Sequence, residues 1–190
     1  MKRLLIILAV IAAVLVLAYN GLIWMITKPA PPLEQGPVLT LSQGDIQAGI
    51  DADNTDILQI NGIPFAAAER WRPPAAPISW DGVRDGRDFA AECLQSREGS
   101  GEFLSDLLNG MGLNAVQRHL AMIALESGPP PAESEDCLFL NVRTRNVGGD
   151  RLQPVMVWIH GGSHQSGAGS QSIYNANQLV ENGAVLVTIN

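Results

Sequence analysis

A glycine-rich segment at residues 160–164, with the sequence H-G-G-S-H, is the part of this chain best suited to chemistry. It directly follows Val155–Ile159, an apolar run typical of a buried strand. Because glycine has no Cβ, a chain leaving such a strand can turn sharply and point backbone N–H groups into open space. N–H groups held there can stabilise the negative charge that develops on an oxygen during acyl transfer. The segment therefore predicts an oxyanion hole in which Gly162 and Ser163 donate N–H groups and Gly161 gives the loop its freedom to turn.

The nucleophile that such a hole would serve is not found among the 190 residues. Acyl transfer of this kind needs a serine, a histidine base and an orienting carboxylate, and the serine usually lies in a G-x-S-x-G turn. No G-x-S-x-G occurs in the sequence. Four serines lie near glycines, but none has a glycine two residues away on both sides: Ser100, Ser163, Ser166 and Ser170. The chain alone is therefore predicted to be inactive.

The three histidines do not indicate a metal site. His160 and His164 are four residues apart, a spacing that suits zinc on a helix, but the glycines between them disfavour a helix. His119 falls on the polar side of a predicted helix, where we expect it to be solvated. No C-x-x-C pair or cysteine–histidine spacing indicates zinc either. We therefore expect no metal ion.

Four landmarks, in the same order along the chain, resemble the type-B carboxylesterases, a family of α/β-hydrolases that includes cholinesterases and bacterial para-nitrobenzyl esterases. The sequence N-G-I-P-F-A at 61–66 resembles the family's G-I-P-[YF]-A. The second landmark is W-D-G-V-R-D at 80–85, followed by C-L-Q at 93–95. The sequence S-E-D-C-L-F-L-N-V at 134–142 resembles E-D-C-L-x-L-N-V, and P-V-M-V-W-I-H-G-G at 154–162 resembles P-V-[ML]-V-W-I-H-G-G.

This resemblance, which covers about residues 38–190, implies the N-terminal half of an α/β-hydrolase fold preceded by one transmembrane or signal helix. It implies carboxylic ester hydrolysis through an acyl-serine intermediate, with the nucleophile, acid and base at positions beyond Asn190. It further implies a small-molecule ester substrate and no organic cofactor. A rival interpretation comes from family members that have lost the triad and act as adhesion or binding ectodomains.

Two departures from the family pattern affect the site. The stretch at 67–74 resembles a shortened form of a longer proline-rich segment. The family's H-G-G-G-[FY] is also altered, because Ser163 stands for the third glycine and His164 for the aromatic residue. We expect the hole to survive if Ser163 keeps a negative φ. The histidine changes the wall of the acyl pocket, so the family's substrate preferences do not transfer.

The two cysteines, Cys93 and Cys137, fall at positions where the family often places a disulfide. An exported chain with an even cysteine count permits such a bond. Two buried free thiols are the alternative. Closing a loop of this length would stabilise the fold by roughly 4 kcal/mol on the chain-entropy model.

The N-terminus carries a targeting or anchoring signal. Lys2 and Arg3 precede a nearly unbroken apolar run at 4–26, which as a helix would span roughly the 30 Å hydrocarbon core of a bilayer. The positive residues favour a cytoplasmic N-terminus with everything that follows exported. We therefore predict a signal anchor at 1–27, and a cleaved signal peptide that leaves a secreted or periplasmic domain is the alternative.

A proline-rich linker at 28–37 then leads to the esterase-like domain at 38–190. The formal net charge of -7 argues against nucleic-acid binding, which needs a basic face. The expected partners are therefore a membrane, contacted through the N-terminal helix, and the ester substrate.

Hydrophobic patterning predicts both helices and strands within the esterase-like domain. Short antiparallel strands at a sheet edge are expected at 38–41, 45–50 and 57–60. Two amphipathic helices are expected between residues 101 and 128, the second capped by Asn114. Packing on the domain is the plainer role for these helices, and a lid or membrane-touching element is the alternative.

The C-terminal third alternates strands with a helix, which is the pattern of an α/β protein. Strands are expected at 138–143, Val155–Ile159 and 184–189, with a short helix at 174–181. The last two strands are apolar on both faces, which predicts central positions in a sheet covered by helices.

Overall fold

The computed structural model describes residues 2–29, 31–51, 54–96, 100–126, 132–145, 147–148 and 152–190. The chain forms two compact units, one of Met1–Ala30 with Arg97–Pro130 and one of Pro31–Ser96 with Pro131–Asn190. The first unit is helical, and the second contains the sheet and the glycine-rich loop.

The helical unit consists of three helices: α1 (Lys2–Thr27), α2 (Ser100–Gly110) and α3 (Ala115–Glu126). Within α1, the stretch Val10–Thr27 has a mean hydropathy of 2.1 and none of it is buried, so the helix is long and apolar enough to cross a membrane. A signal sequence would meet the same description. The Tyr19 hydroxyl lies 2.9 Å from Nε2 of His119, so this exposed histidine contacts α1 as well as solvent.

The helix α3 begins where the sequence predicts, directly after Asn114. Oδ1 of Asn114 accepts a hydrogen bond from the Gln117 N–H at 2.9 Å, and Oε1 of Gln117 accepts one from the Asn114 N–H at 3.0 Å. This reciprocal capping pair satisfies N–H groups at the helix start that have no intrahelical partner. The end of the predicted helical region, at residue 128, lies outside the described residues.

The described residues of the second unit form nine strands and one α-helix. In chain order they are β1 (Glu34–Thr40), β2 (Asp45–Asp51), β3 (Asn54–Pro64), β4 (Val83–Asp85), β5 (Glu92–Cys93), β6 (Glu133–Ser134), β7 (Phe139–Thr144), β8 (Val155–Ile159), α4 (Asn177–Glu181) and β9 (Val185–Ile189). The main sheet has the order β1-β2-β3-β7-β9-β8, with β4 beside β2, and β5 pairs with β6 separately.

The main sheet is mixed, as expected for the α/β class. The strands from β1 through β2, β3 and β7 to β9 pair antiparallel, whereas β8 lies parallel to β9 and β4 parallel to β2. Two apolar clusters stabilise it. Ile46, Ala48 and Ile60 bury one side of β2 and β3, and Val180 of α4 packs against Ile57 and Leu186 to hold that helix on the sheet.

The position of β8 differs from the sequence prediction. Of the last two predicted strands, only β9 has a neighbour on each side, since it lies between β7 and β8; β8 is at the edge of the sheet. All five side chains of β8 are 46–72% exposed. A strand that is apolar on both faces is expected to be buried on both faces. The sequence pattern does not identify the segments that would pack against it. The prediction of a central, covered position for β8 was therefore wrong for the described residues.

Two boundaries also shift. The strand β1 begins at Glu34, inside the predicted linker, because Glu34 pairs with Ile50 across from it. The predicted helix at 174–181 is interrupted at Ala176, whose φ and ψ of -87° and 66° are not helical. A 3-10 turn at Ser172–Tyr174 precedes that break, and α4 follows it.

Candidate oxyanion loop

The glycine-rich segment forms a tight loop directly after β8. The carbonyl oxygen of Gly162 accepts hydrogen bonds from the N–H groups of Gln165 at 2.9 Å and Ser166 at 3.1 Å. These two bonds close the chain back on itself within four residues. The loop therefore has a defined shape at the point where the sequence predicts an oxyanion hole.

Glycine is required at position 162 by this shape. Gly162 has a φ of 127°, and a Cβ built on it would lie 1.8 Å from the carbonyl oxygen of Ser166. Gly161 has no positive φ, and a Cβ there would meet nothing within 4 Å. We predicted that the turn needs a glycine at position 161. In the structure, the position that needs a glycine is 162, one residue later.

The condition under which we expected the hole to survive, a negative φ at Ser163, is not met. Ser163 has a φ of 56° and His164 a φ of 59°, so two consecutive residues with side chains occupy the left-handed region. The close return of the chain from Gly162 to Ser166 forces this conformation, which costs roughly 1–2 kcal/mol for each such residue. Strain of this kind is often found at functional sites.

The two candidate donors are N–H groups without a hydrogen-bond partner among the described residues. Within the described part of the chain, neither the Gly162 N–H nor the Ser163 N–H donates a hydrogen bond. Ser163 is exposed and Gly162 is half-buried. An unpartnered N–H beside an open surface is what an oxyanion donor requires before substrate arrives.

We expect Ser163→Gly to raise the free energy of unfolding by roughly 0.5–1 kcal/mol, since glycine adopts a φ near 56° without a Cβ clash but loses more entropy on folding. Urea denaturation of the whole protein measures this change. The matched control is Ser166→Gly, because Ser166 has no positive φ and its replacement should lower stability. Equal losses for both variants would contradict the strained geometry at Ser163.

The histidine that begins the loop contacts the loop backbone. Nδ1 of His160 lies 2.7 Å from the carbonyl oxygen of Gly161. Because a carbonyl only accepts hydrogen bonds, Nδ1 carries the proton and donates it. Elsewhere in the loop, His164 is exposed. The described residues contain no group of three or more His, Cys, Asp or Glu side chains arranged to hold a metal ion.

A second segment, at residues 91–95, holds the far end of the loop. Oε1 of Gln95 accepts a hydrogen bond from the Gly167 N–H at 2.6 Å, and its Nε2 donates to the Gly167 carbonyl at 3.3 Å. The Ser170 hydroxyl donates to the buried Glu92 carboxylate at 2.7 Å. Each of these contacts joins parts of the chain more than seventy residues apart, so they set where the loop ends on the sheet.

The end of β9 completes this support. Oδ1 of Asn190 accepts a hydrogen bond from the Gly169 N–H at 2.9 Å, and its Nδ2 donates to the Ala91 carbonyl at 3.1 Å. The Thr188 hydroxyl donates to the Gly169 carbonyl at 2.8 Å. The chain after the loop is thus fixed by side chains from two separate elements.

The predicted disulfide is confirmed. Cys93 and Cys137 are bonded, with their Cα atoms 4.9 Å apart. Cys93 lies in β5, two residues before Gln95. Glu135, two residues before Cys137, forms an ion pair with Arg70.

The charged groups of the sheet unit with shifted pKa values include Asp85 and Arg143. Hydrogen bonds from Arg87 lower the pKa of the Asp85 carboxyl to about 2. Burial lowers the pKa of Arg143, and the negative charge of Asp51 offsets part of that effect. The Arg143 guanidinium donates to Oδ1 of Asn177 at 2.8 Å, which ties β7 to α4.

Sequence reasoning missed the residues that support the loop. Gln95 belongs to the C-L-Q segment of the resemblance, but no role was assigned to it. Glu92, Ser170 and Asn190 carried no signal, because their contacts depend on tertiary folding. The only available clue was the position of Gln95 next to a cysteine that the family places in a disulfide.

Comparisons with known proteins agree with this geometry. The family model described as the carboxylesterase family matches residues 35–190. Fumonisin B1 esterase of Sphingopyxis macrogoltabida is 34% identical over 156 residues, covering 78% of this chain and 23% of that protein. Para-nitrobenzyl esterase of Bacillus subtilis is 34% identical over 130 residues, covering 66% of this chain and 22% of that protein.

Solved structures give the same result. A para-nitrobenzyl esterase structure superimposes with a TM-score of 0.58 and 29% identity, covering 80% of this chain and 27% of that one. A carboxylesterase from Geobacillus stearothermophilus gives a TM-score of 0.57 and 28% identity, with 80% and 26% coverage. The chain therefore spans about a quarter of the length of the relatives that it matches.

Proposed function

Because the chain belongs to the carboxylesterase family, we propose that the whole protein hydrolyses carboxylic esters through an acyl-serine intermediate. The observation that carries this proposal is the loop after β8, in which two backbone N–H groups, those of Gly162 and Ser163, make no hydrogen bond within the described part of the chain. A tetrahedral oxyanion would accept hydrogen bonds from both donors as serine attacks the ester carbonyl.

This chain supplies the oxyanion loop, and the rest of the protein supplies the triad. The sequence contains no G-x-S-x-G, so we assign the nucleophile, the acid and the base to residues that follow Asn190. Residues 1–190 alone would therefore be inactive in ester hydrolysis.

The substrate class is a small-molecule carboxylic ester. The relatives include proteins named fumonisin B1 esterase, acylcarnitine hydrolase and para-nitrobenzyl esterase, which share ester chemistry rather than one alcohol or acid. The proposed mechanism uses only protein groups and water, so it needs neither a metal ion nor an organic cofactor. His164 stands where the family has an aromatic residue at the loop. The acyl group that this protein prefers would therefore differ from those that its relatives prefer.

We further propose that residues 1–27 are a signal anchor, residues 28–33 a linker and residues 34–190 the first part of an extracytoplasmic esterase domain. The apolar helix α1 and the disulfide between Cys93 and Cys137 support an oxidising location outside the cytoplasm.

If residues 1–27 are an uncleaved anchor, we expect the protein to stay in the membrane fraction after carbonate washing. We also expect its intact mass to be that of a chain that still contains α1. Cleavage of a signal peptide would instead give a soluble protein that starts after residue 27. Mass spectrometry of the protein purified from its own host distinguishes the two results, and only the first agrees with an anchor.

Ester hydrolysis itself is tested with the protein as its gene encodes it and short-chain para-nitrophenyl esters. We expect release of para-nitrophenol well above the rate in buffer, and loss of that activity after treatment with a serine-directed organophosphonate. A folded protein that releases no more para-nitrophenol than buffer would contradict the proposal and favour a binding ectodomain.

A further inference from the structure

The carboxamide of Gln95 holds both polar backbone groups of a single loop residue. Its Oε1 accepts from the Gly167 N–H at 2.6 Å, and its Nε2 donates to the Gly167 carbonyl at 3.3 Å. Gln95 is half-buried, so these bonds are partly shielded from water. Two bonds from one side chain fix the position of Gly167 and also its orientation.

Gly167 in turn lies against the first residues of the oxyanion loop. Its φ is 111°, and a Cβ built on it would lie 2.5 Å from both the Gly161 carbonyl oxygen and Nδ1 of His160. Packing this close transmits a displacement of Gly167 to Gly161, which is bonded directly to the candidate donor Gly162. The loop is thus held by β8 at one end and by Gln95 at the other.

Gln95 is itself braced. Its Nε2 also lies 3.2 Å from the Cys93 carbonyl and 3.5 Å from Oε2 of Glu92. Cys93 is covalently joined to Cys137, which lies two residues before the start of β7. Gln95 therefore belongs to a segment that the disulfide cross-links to the chain just before β7, and its side chain is held by neighbouring groups.

We propose that Gln95 is a positioning residue that sets the oxyanion hole by clamping Gly167. This inference rests on the proposed ester hydrolysis. If the donor N–H groups are displaced by a fraction of an ångström, substrate can still bind. Their hydrogen bonds to the developing oxyanion become weaker, so the transition state loses stabilisation and kcat falls.

The test compares Gln95→Leu with Gln153→Leu in the whole protein. Gln153 makes a similar pair of contacts, to the Thr144 hydroxyl at 3.4 Å and to the Gly183 carbonyl at 3.3 Å, but it precedes β8 at the end opposite to the loop. We expect Gln95→Leu to lower kcat by about 10- to 100-fold with KM changed less than about threefold. Gln153→Leu should leave both constants within about twofold of the wild type.

A transition-state analogue separates positioning from general stability. A trifluoromethyl ketone places an oxyanion in the hole, so its affinity should fall in Gln95→Leu by about the same factor as kcat/KM. If kcat falls equally in Gln95→Leu and Gln153→Leu, or if the analogue binds Gln95→Leu as it binds the wild type, the inference is overturned. A wild-type protein with no esterase activity would overturn the proposed function instead.

Gln95→Glu keeps the inference testable if the leucine variant does not fold. Glutamate retains an oxygen that can accept from the Gly167 N–H but loses the donor to the Gly167 carbonyl. We expect a kcat below that of the wild type, because a carboxylate oxygen in place of Nε2 would face the Gly167 and Cys93 carbonyls and the Glu92 carboxylate with no proton to donate. A wild-type kcat for Gln95→Glu together with wild-type analogue affinity would overturn the clamp.

Discussion

Replacing Gly162 by alanine is expected to lower kcat for ester hydrolysis by about 10²- to 10³-fold, the loss typical of one missing oxyanion donor. The added Cβ would lie 1.8 Å from the Ser166 carbonyl oxygen, and the φ of 127° is one that alanine rarely adopts. The chain between these residues must open to accommodate the methyl group. The N–H groups of Gly162 and Ser163 would then move away from the oxyanion together.

Gly161→Ala is the matched control for Gly162→Ala. A Cβ at Gly161 meets nothing within 4 Å, and its φ is not positive, so we expect a much smaller loss of kcat. Both variants are assayed with the same para-nitrophenyl ester after their folded state has been checked by circular dichroism. A Gly162→Ala protein that is folded and has wild-type kcat would contradict the role of this loop.

Removing the disulfide by Cys93→Ser together with Cys137→Ser is expected to lower the free energy of unfolding by about 4 kcal/mol on the chain-entropy model. The bond joins residues separated by 44 positions, and without it the unfolded chain gains the freedom of that loop. A loss of this size is a large fraction of the stability of an ordinary domain. Urea denaturation of the wild type and the double variant measures it.

A reducing agent is the matched control for the disulfide prediction. Reduction should destabilise the wild type by about as much as the double substitution does, and it should leave the double variant unchanged. Two titratable thiols in the folded, unreduced wild type, or a loss below about 1 kcal/mol in the double variant, would contradict the predicted contribution.

The elements that local pattern determines were predictable from the sequence. The run Val155–Ile159 is a strand with the predicted bounds, because five consecutive apolar residues with β-branched members favour an extended chain. Asn114 caps α3, because a short polar side chain at that point satisfies the N–H groups of the first turn. The disulfide between Cys93 and Cys137 followed from the family resemblance, and no local pattern would have paired these cysteines.

The finer features of the candidate site were not predictable, since they depend on closure of the chain in three dimensions. The sign of φ at Ser163 follows from the return of the loop from Gly162 to Ser166, whereas serine in general prefers a negative φ. The clamp from Gln95 to Gly167 joins residues 72 positions apart, which no periodicity reveals. The exposure of β8 depends on which other segments lie beside it.

The most direct test of the acyl-serine proposal is the intact mass of the folded whole protein after reaction with a fluorophosphonate. We expect a gain of one phosphonyl group per molecule, on a serine outside residues 1–190, and no gain when the protein is unfolded by heat before the reaction. A folded protein that gains no mass would show that no activated serine faces the loop, and it would contradict ester hydrolysis by this mechanism.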